Sequence, residues 1–247
     1  MRLFLTSSPC SPYPRKDGQI CYGYSEENGF LKQYKEGWEP GCSCLMVSAD
    51  PYDFSHNNKM QQEFKGFFDI SQIPVSRLIL CDERNQKELP RFLEQCRLVI
   101  LAGGHVPTQN AFFERTGLKK LMEGYKGTVM GISAGTMNCA STVYAQPELE
   151  GESVNPEYKR FLTGLGLTNL MILPHYQDVK SHMLDGRRLM EDITYPDSMG
   201  RTFYALADGS YVLARNGQET LYGEAYRIKD GNIKKICEKG GCVELFH

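Results

Sequence analysis

Ser133 stands between two glycines, in Gly131-Ile132-Ser133-Ala134-Gly135. The apolar run Thr128-Val129-Met130 precedes it, and Ala134, Thr136, Met137 and Ala140 suit a closely packed helix behind it. A serine at a sharp strand-to-helix turn points its hydroxyl out from the top of a sheet. Flanking glycines permit the close backbone approach and the unusual dihedrals of that turn. The helix N-terminus then offers N–H groups where an oxyanion forms. The chemistry indicated is acyl transfer by a serine nucleophile. The plainer alternative is a glycine-rich turn with a structural serine.

Such a nucleophile needs a base, and the chain has five histidines: His56, His105, His175, His182 and His247. His247 is terminal, His56 lies in a polar helix start and His182 on a helix face. His105 follows Gly103-Gly104 at a strand end, near the site but without an obvious partner. His175 follows the apolar Leu170-Met171-Ile172-Leu173 and Pro174. That puts it at the carboxyl end of a buried strand, the edge where open parallel sheets carry their sites. His175 is the expected general base, then acid.

The group that orients the imidazole is less legible. Glu148, Glu150, Glu152 and Glu157 lie between Ser133 and His175, and Asp178, Asp185 and Asp208 follow it. Residue chemistry alone does not choose among the glutamates. Asp208, in Ala207-Asp208-Gly209-Ser210, reads better as a turn residue. Oxyanion donors are expected from the backbone of Ala134 and of Gly103 or Gly104. No His-Glu-x-x-His pattern, zinc-spaced ligand cluster or dinucleotide fingerprint occurs, so no metal or cofactor is expected.

These residues need a scaffold. Strands are expected at 2–6, 44–48, 75–80, 98–101, 128–130 and 170–173, and helices at 53–66, 89–96, 108–122, 133–140 and 182–193. That alternation argues a mostly parallel sheet covered by helices on both faces, with residues 170–173 continuing it. Short strands at 203–206, 211–213, 221–228 and 232–236 are separated by Asp208-Gly209, Asn216-Gly217 and Asp230-Gly231. They suggest a C-terminal antiparallel meander on one α/β domain spanning 1–247. Residues 7–43, rich in Gly, Pro and Tyr, read as a loop-rich excursion or lid.

With 247 residues, 41% hydrophobic, 23% charged and a formal charge of -2, the composition is that of an ordinary soluble chain. It gives no electrostatic footprint for nucleic acid. No apolar run reaches the length of a membrane span. Nine cysteines without a secretory leader pattern fit a reducing cytoplasm and unpaired thiols. No nucleic-acid or membrane partner is expected, and the chain is expected to act as a monomer or homodimer.

Leu101-Ala102-Gly103-Gly104-His105, Gly131-Ile132-Ser133-Ala134-Gly135 and Leu173-Pro174-His175-Tyr176 together resemble the peptidase E and cyanophycinase family of serine peptidases over roughly residues 44–230. The resemblance implies a class I glutamine amidotransferase-like, flavodoxin-like fold with serine as nucleophile. It implies Glu148, in Gln146-Pro147-Glu148-Leu149, as the orienting acid, with Glu150 as the alternative. It implies a dipeptidase or small-peptide hydrolase preferring an N-terminal Asp held by Arg187 and Arg188. His105 would then lie against substrate, where the family usually has Asn or Asp. A cyanophycinase-like amide hydrolase, an α/β-hydrolase esterase and a non-catalytic binding module are the competing readings.

Overall fold

The computed structural model describes residues 1–14, 18, 20–36, 38 and 40–245. Eight strands form the main sheet. Five are parallel and adjacent, in the spatial order Arg2–Thr6, Thr128–Ile132, Cys96–Leu101, Ser43–Val47 and Arg77–Cys81. Tyr211–Arg215 then runs antiparallel to Arg2–Thr6, and Gln218–Tyr222 and Cys242–Leu245 extend that edge. The inner strands are apolar on both faces because helices cover both. In Leu98-Val99-Ile100-Leu101 no side chain is more than 1% exposed. The edge strand Cys242–Leu245 instead alternates in burial.

Helix Phe54–Ile70 is started by Asp53, whose carboxylate accepts the His56 N–H at 3.0 Å, one of the donors a helix start leaves unpaired. It buries Met60, Phe64 and Phe68 against the sheet. The helix expected over 108–122 is two pieces, Val106–Thr116 and Leu118–Leu121. Gly117 separates them at φ 66°, a left-handed cap that suits glycine. The strand expected over 221–228 is likewise cut at Gly223, φ 92°, into Gln218–Tyr222 and Ala225–Lys229.

Residues 7–43 differ most from the loop expected of them. They hold a hairpin, Cys10–Pro14 with Ile20–Tyr24, and a helix, Phe30–Lys35. Tyr24, Phe30 and Tyr34 are buried in the same core as Phe4, Met46 and Phe68. Each such side chain contributes about 1.5–3 kcal/mol of burial. The end of the hairpin and the helix thus pack into the core beside the sheet. Pro12 and Pro14 sit in a separate two-stranded ribbon, where a missing N–H costs no central ladder bond, and so they mislead a pattern reading.

Two further expectations are corrected. Met171–Leu173 does not continue the main sheet. It pairs in parallel with Thr202–Leu206, in a second sheet completed by Ala225–Lys229 and Asn232–Cys237. The helix expected over 182–193 is a hairpin, Met183–Leu184 with Arg187–Arg188, followed by a wide helical turn over Leu189–Thr194. Asp185 and Gly186, both at positive φ, make its tight turn.

Candidate active site

Ser133 lies at the carboxyl end of Thr128–Ile132 with φ 49° and ψ -111°. An L-residue rarely adopts that conformation unless its surroundings impose it. Three features hold it there. A Cβ on Gly131 would lie 2.7 Å from the Thr136 backbone, and one on Gly135 would lie 2.1 Å from the Leu101 carbonyl oxygen. Only glycine fits at either position. The neighbouring strand supplies the third. The Thr6 carbonyl accepts both the Ser133 N–H at 3.1 Å and the Thr136 hydroxyl at 2.8 Å, while Thr136 Oγ1 accepts the Thr6 N–H. The Gly103 backbone passes beside the nucleophile, since a Cβ there would meet Ser133 Cβ at 3.5 Å.

His175 follows Leu173-Pro174 at φ 55° and starts the short helix Tyr176–Val179. Its Nε2 lies 2.9 Å from Ser133 Oγ, and its Nδ1 lies 2.8 Å from Asp208 Oδ1. The two sheet registers explain the meeting. Tyr211 pairs with Thr6, so the turn just before Tyr211 falls beside Ser7. Leu173 pairs with Ala205 in the second sheet, so His175 and Asp208 leave adjacent strands at the same edge. Asp208 is therefore both a turn residue and the partner of His175.

The choice of Glu148 or Glu150 for that place is corrected by this contact. Glu150 is exposed. Glu148 lies close enough for its charge to act on His175, but the carboxylate on Nδ1 belongs to Asp208. Of the other acids weighed, Asp178 also acts on His175 through its charge, whereas Asp185 caps Gly151 and Ser153.

Electrostatics fixes the tautomer. Burial works against the Asp208 charge, but hydrogen bonds from His175 and Ser7 and the nearby imidazole outweigh it and hold its pKa below the usual range, as donors to a charged form do. An ionised carboxylate only accepts, so His175 carries its proton on Nδ1 and leaves Nε2 to accept the Ser133 hydroxyl. Burial also opposes the imidazolium, yet the Asp208 bond and the charges of Asp208, Asp178 and Glu148 raise the His175 pKa above its ordinary value. The side chains of His175 and Asp208 are 35% and 41% exposed, so the arrangement opens to solvent and to a ligand. Such a chain can take a proton from the serine and return it to a leaving amine.

One wall of the site is acidic. The Glu148 pKa is pushed up to about 7 by crowding around its carboxyl, with the Glu152 charge adding and His175 opposing. Glu152 Oε2 accepts the N–H groups of Glu148 and Leu149 at 2.8 and 3.0 Å. Its Oε1 lies 2.9 Å from His105 Nε2, and His105 Nδ1 lies 2.8 Å from the Thr108 hydroxyl. His105 thus has both ring nitrogens engaged by protein, and it ties the Gly103-Gly104 turn to the Glu148 loop.

Arg187 and Arg188 occupy the exposed hairpin. Arg188 Nη2 lies 2.7 Å from Asp192 Oδ1. Cys139 is buried behind the elbow with its thiol donating to the Gly135 carbonyl at 3.1 Å, and burial pushes its pKa up. His182 is exposed, and His247 lies outside the described residues. His175, Asp178 and Asp208 bring ligand atoms within 4.8 Å of one another. A cation there would compete for the atoms that join His175 to Asp208.

The model of peptidase family S51 matches residues 51–222. The chain belongs to this family. It is therefore a serine peptidase, a hydrolase, of the group that contains peptidase E. No curated protein sequence matches it. Among solved structures, it is similar to a peptidase from an acI-B1 Actinobacterium, with a TM-score of 0.69 and 14% identity over 99% of this chain and 96% of that one. A putative peptidase E protein from Listeria monocytogenes EGD-e is similar at a TM-score of 0.59 and 15% identity, covering 95% of this chain and 98% of that one. The S51 scaffold and the flavodoxin-like architecture thus agree with the expected fold. Among the described residues, no helix is long and apolar enough to cross a membrane.

Proposed function

We propose that this S51 peptidase hydrolyses short peptides with a Ser133-His175-Asp208 triad. The observation that carries the reading is the continuous contact from Ser133 Oγ through both ring nitrogens of His175 to Asp208. His175 Nε2 takes the Ser133 proton as Oγ attacks the peptide carbonyl. The N–H groups of Ala134 and of Gly103 or Gly104 stabilise the oxyanion. Protonated His175 passes its proton to the leaving amine, and water, deprotonated by His175, then releases the acyl group.

For specificity, the reading turns on charge. Glu148, Asp178 and Asp208 all bear on His175, while Arg188 is held by Asp192 on the hairpin. A wall of that sign attracts a cation, and the cation every short peptide carries is its α-ammonium. We therefore assign Glu148 to the substrate's amino terminus. Arg187 and Arg188 give the expected preference for Asp little support.

Dipeptides and tripeptides with free and acetylated amino termini, led by Asp, Leu or Lys, test this. A free amino terminus should be required, with no advantage for Asp. Cleavage of acetylated peptides at equal rates would contradict the amino-terminal assignment. A strong preference for Asp would restore an arginine-based pocket, and a strong preference for Lys would move the cation to the side chain.

A further inference from the structure

We propose that Ser7 is a positioning residue of this active site, its hydroxyl bridging the His175 backbone and the Asp208 carboxylate and so setting both partners of the Nδ1 bond. This rests on the reading of Asp208 as the orienting acid.

Ser7 follows the central strand Arg2–Thr6 and is fully buried. Its Oγ accepts the His175 backbone N–H at 2.8 Å and lies 2.6 Å from Asp208 Oδ1. A backbone N–H can only donate and an ionised carboxylate can only accept. The single hydroxyl proton of Ser7 is therefore directed at Asp208, and the bridge has one polarity. Its own N–H donates to the Ser210 carbonyl at 3.3 Å, tying Ser7 to the far side of the Asp208 turn.

The bridge acts on both neighbours. His175 sits at φ 55°, which a residue with a Cβ adopts only when its surroundings impose it. The Ser7 contact holds that residue's N–H. On the other side, Ser7 and His175 Nδ1 meet the same Asp208 oxygen, so the hydroxyl fixes the carboxylate rotamer and draws charge from the atom facing the imidazole. The charged groups facing His175 are Asp208, Asp178 and Glu148. Ser7 tempers the one that is bonded to the ring, at the oxygen that makes the bond.

Removing the hydroxyl should have two effects that a merely structural serine would not combine. Orientation loosens, so the reaction slows. The Asp208 charge acts undiluted, so the acid limb set by His175 moves to higher pH. The experiment is the pH dependence of Ser133 modification by a fluorophosphonate, in wild type, Ser7→Ala, Asp208→Asn and the double variant. Ser7→Ala should be slower by about tenfold to a hundredfold, the scale of a misplaced catalytic group. Its acid limb should rise. In the Asp208→Asn background, the further loss from Ser7→Ala should be much smaller. Ser7→Cys keeps the volume with a weaker donor and should fall between, which preserves the test if Ser7→Ala does not fold. Wild-type rates in Ser7→Ala, or losses that multiply in the double variant, would overturn the proposal. If Asp208→Asn is itself as fast as wild type, the triad reading fails first.

Discussion

Asp208 Oδ1 lies 2.8 Å from His175 Nδ1, on the ring nitrogen opposite the one facing Ser133. The two residues are far apart in the chain, and two sheet registers bring them together. Asp208→Asn should therefore reduce kcat by about 10³–10⁴, because an amide at this place favours the wrong imidazole tautomer. Glu148→Gln should leave kcat for an activated ester within about tenfold, since general-base catalysis stays intact. Steady-state kinetics of the two variants separates the roles, and equal losses in both would reject the distinction.

The acid limb of activity follows from His175. The base must be neutral, and its pKa is raised above its ordinary value chiefly by Asp208, against the effect of burial. That ordinary value is about 6.5. Activity should therefore fall as the pH drops through a midpoint above it. Replacing Asp208 by Asn should move the midpoint down. A pH profile of acylation checks the direction of the shift.

Glu148 adds a second ionisation at about 7. It holds an ammonium only when charged, so KM for a free dipeptide should fall as the pH rises through this region. Binding should weaken again as the substrate's α-amino group, with a pKa of about 7.7–8.0, loses its proton. The profile of kcat/KM should thus be narrow. In Glu148→Gln its Glu148-dependent component should vanish, while the His175 limb remains. An unchanged dependence of KM on pH in that variant would argue against the assignment.

The elbow glycines make a stability prediction. A methyl at position 135 would press on the Leu101 carbonyl, and one at 131 on Thr136. Gly135→Ala should lower stability by about 1–3 kcal/mol or more, as overpacking does. A methyl at position 117 meets no neighbouring atom. The cost of Gly117→Ala is confined to the left-handed backbone, where alanine is less favourable by about 1–2 kcal/mol. Thermal unfolding should rank Gly135→Ala below Gly117→Ala.

Local chemistry made part of this site readable. The apolar run, the Gly-x-Ser-x-Gly turn and the strand end before His175 are contiguous features, and Ser133 and His175 do meet. The first strand and the alternation of parallel strands with helices were legible for the same reason. Asp208 was visible only as a turn residue, because its second role depends on the pairing of Tyr211 with Thr6 and of Leu173 with Ala205. Ser7 gave no signal at all, since a serine after a short strand is common. Tyr24, Phe30 and Tyr34 were obscured by the prolines and glycines around them, and only tertiary packing reveals their burial. Arg187 and Arg188 suggested a helix face, but positive φ at Asp185 and Gly186 turned the segment into a hairpin.

The most direct measurement of the central claim is mass spectrometry of the protein after reaction with a fluorophosphonate. Wild type should carry one adduct, on the peptide containing Ser133. Ser133→Ala should carry none there, and His175→Ala and Asp208→Asn should be modified far more slowly while folding normally. Stoichiometric labelling of Ser133→Ala equal to wild type, or full-rate labelling without His175, would contradict the account.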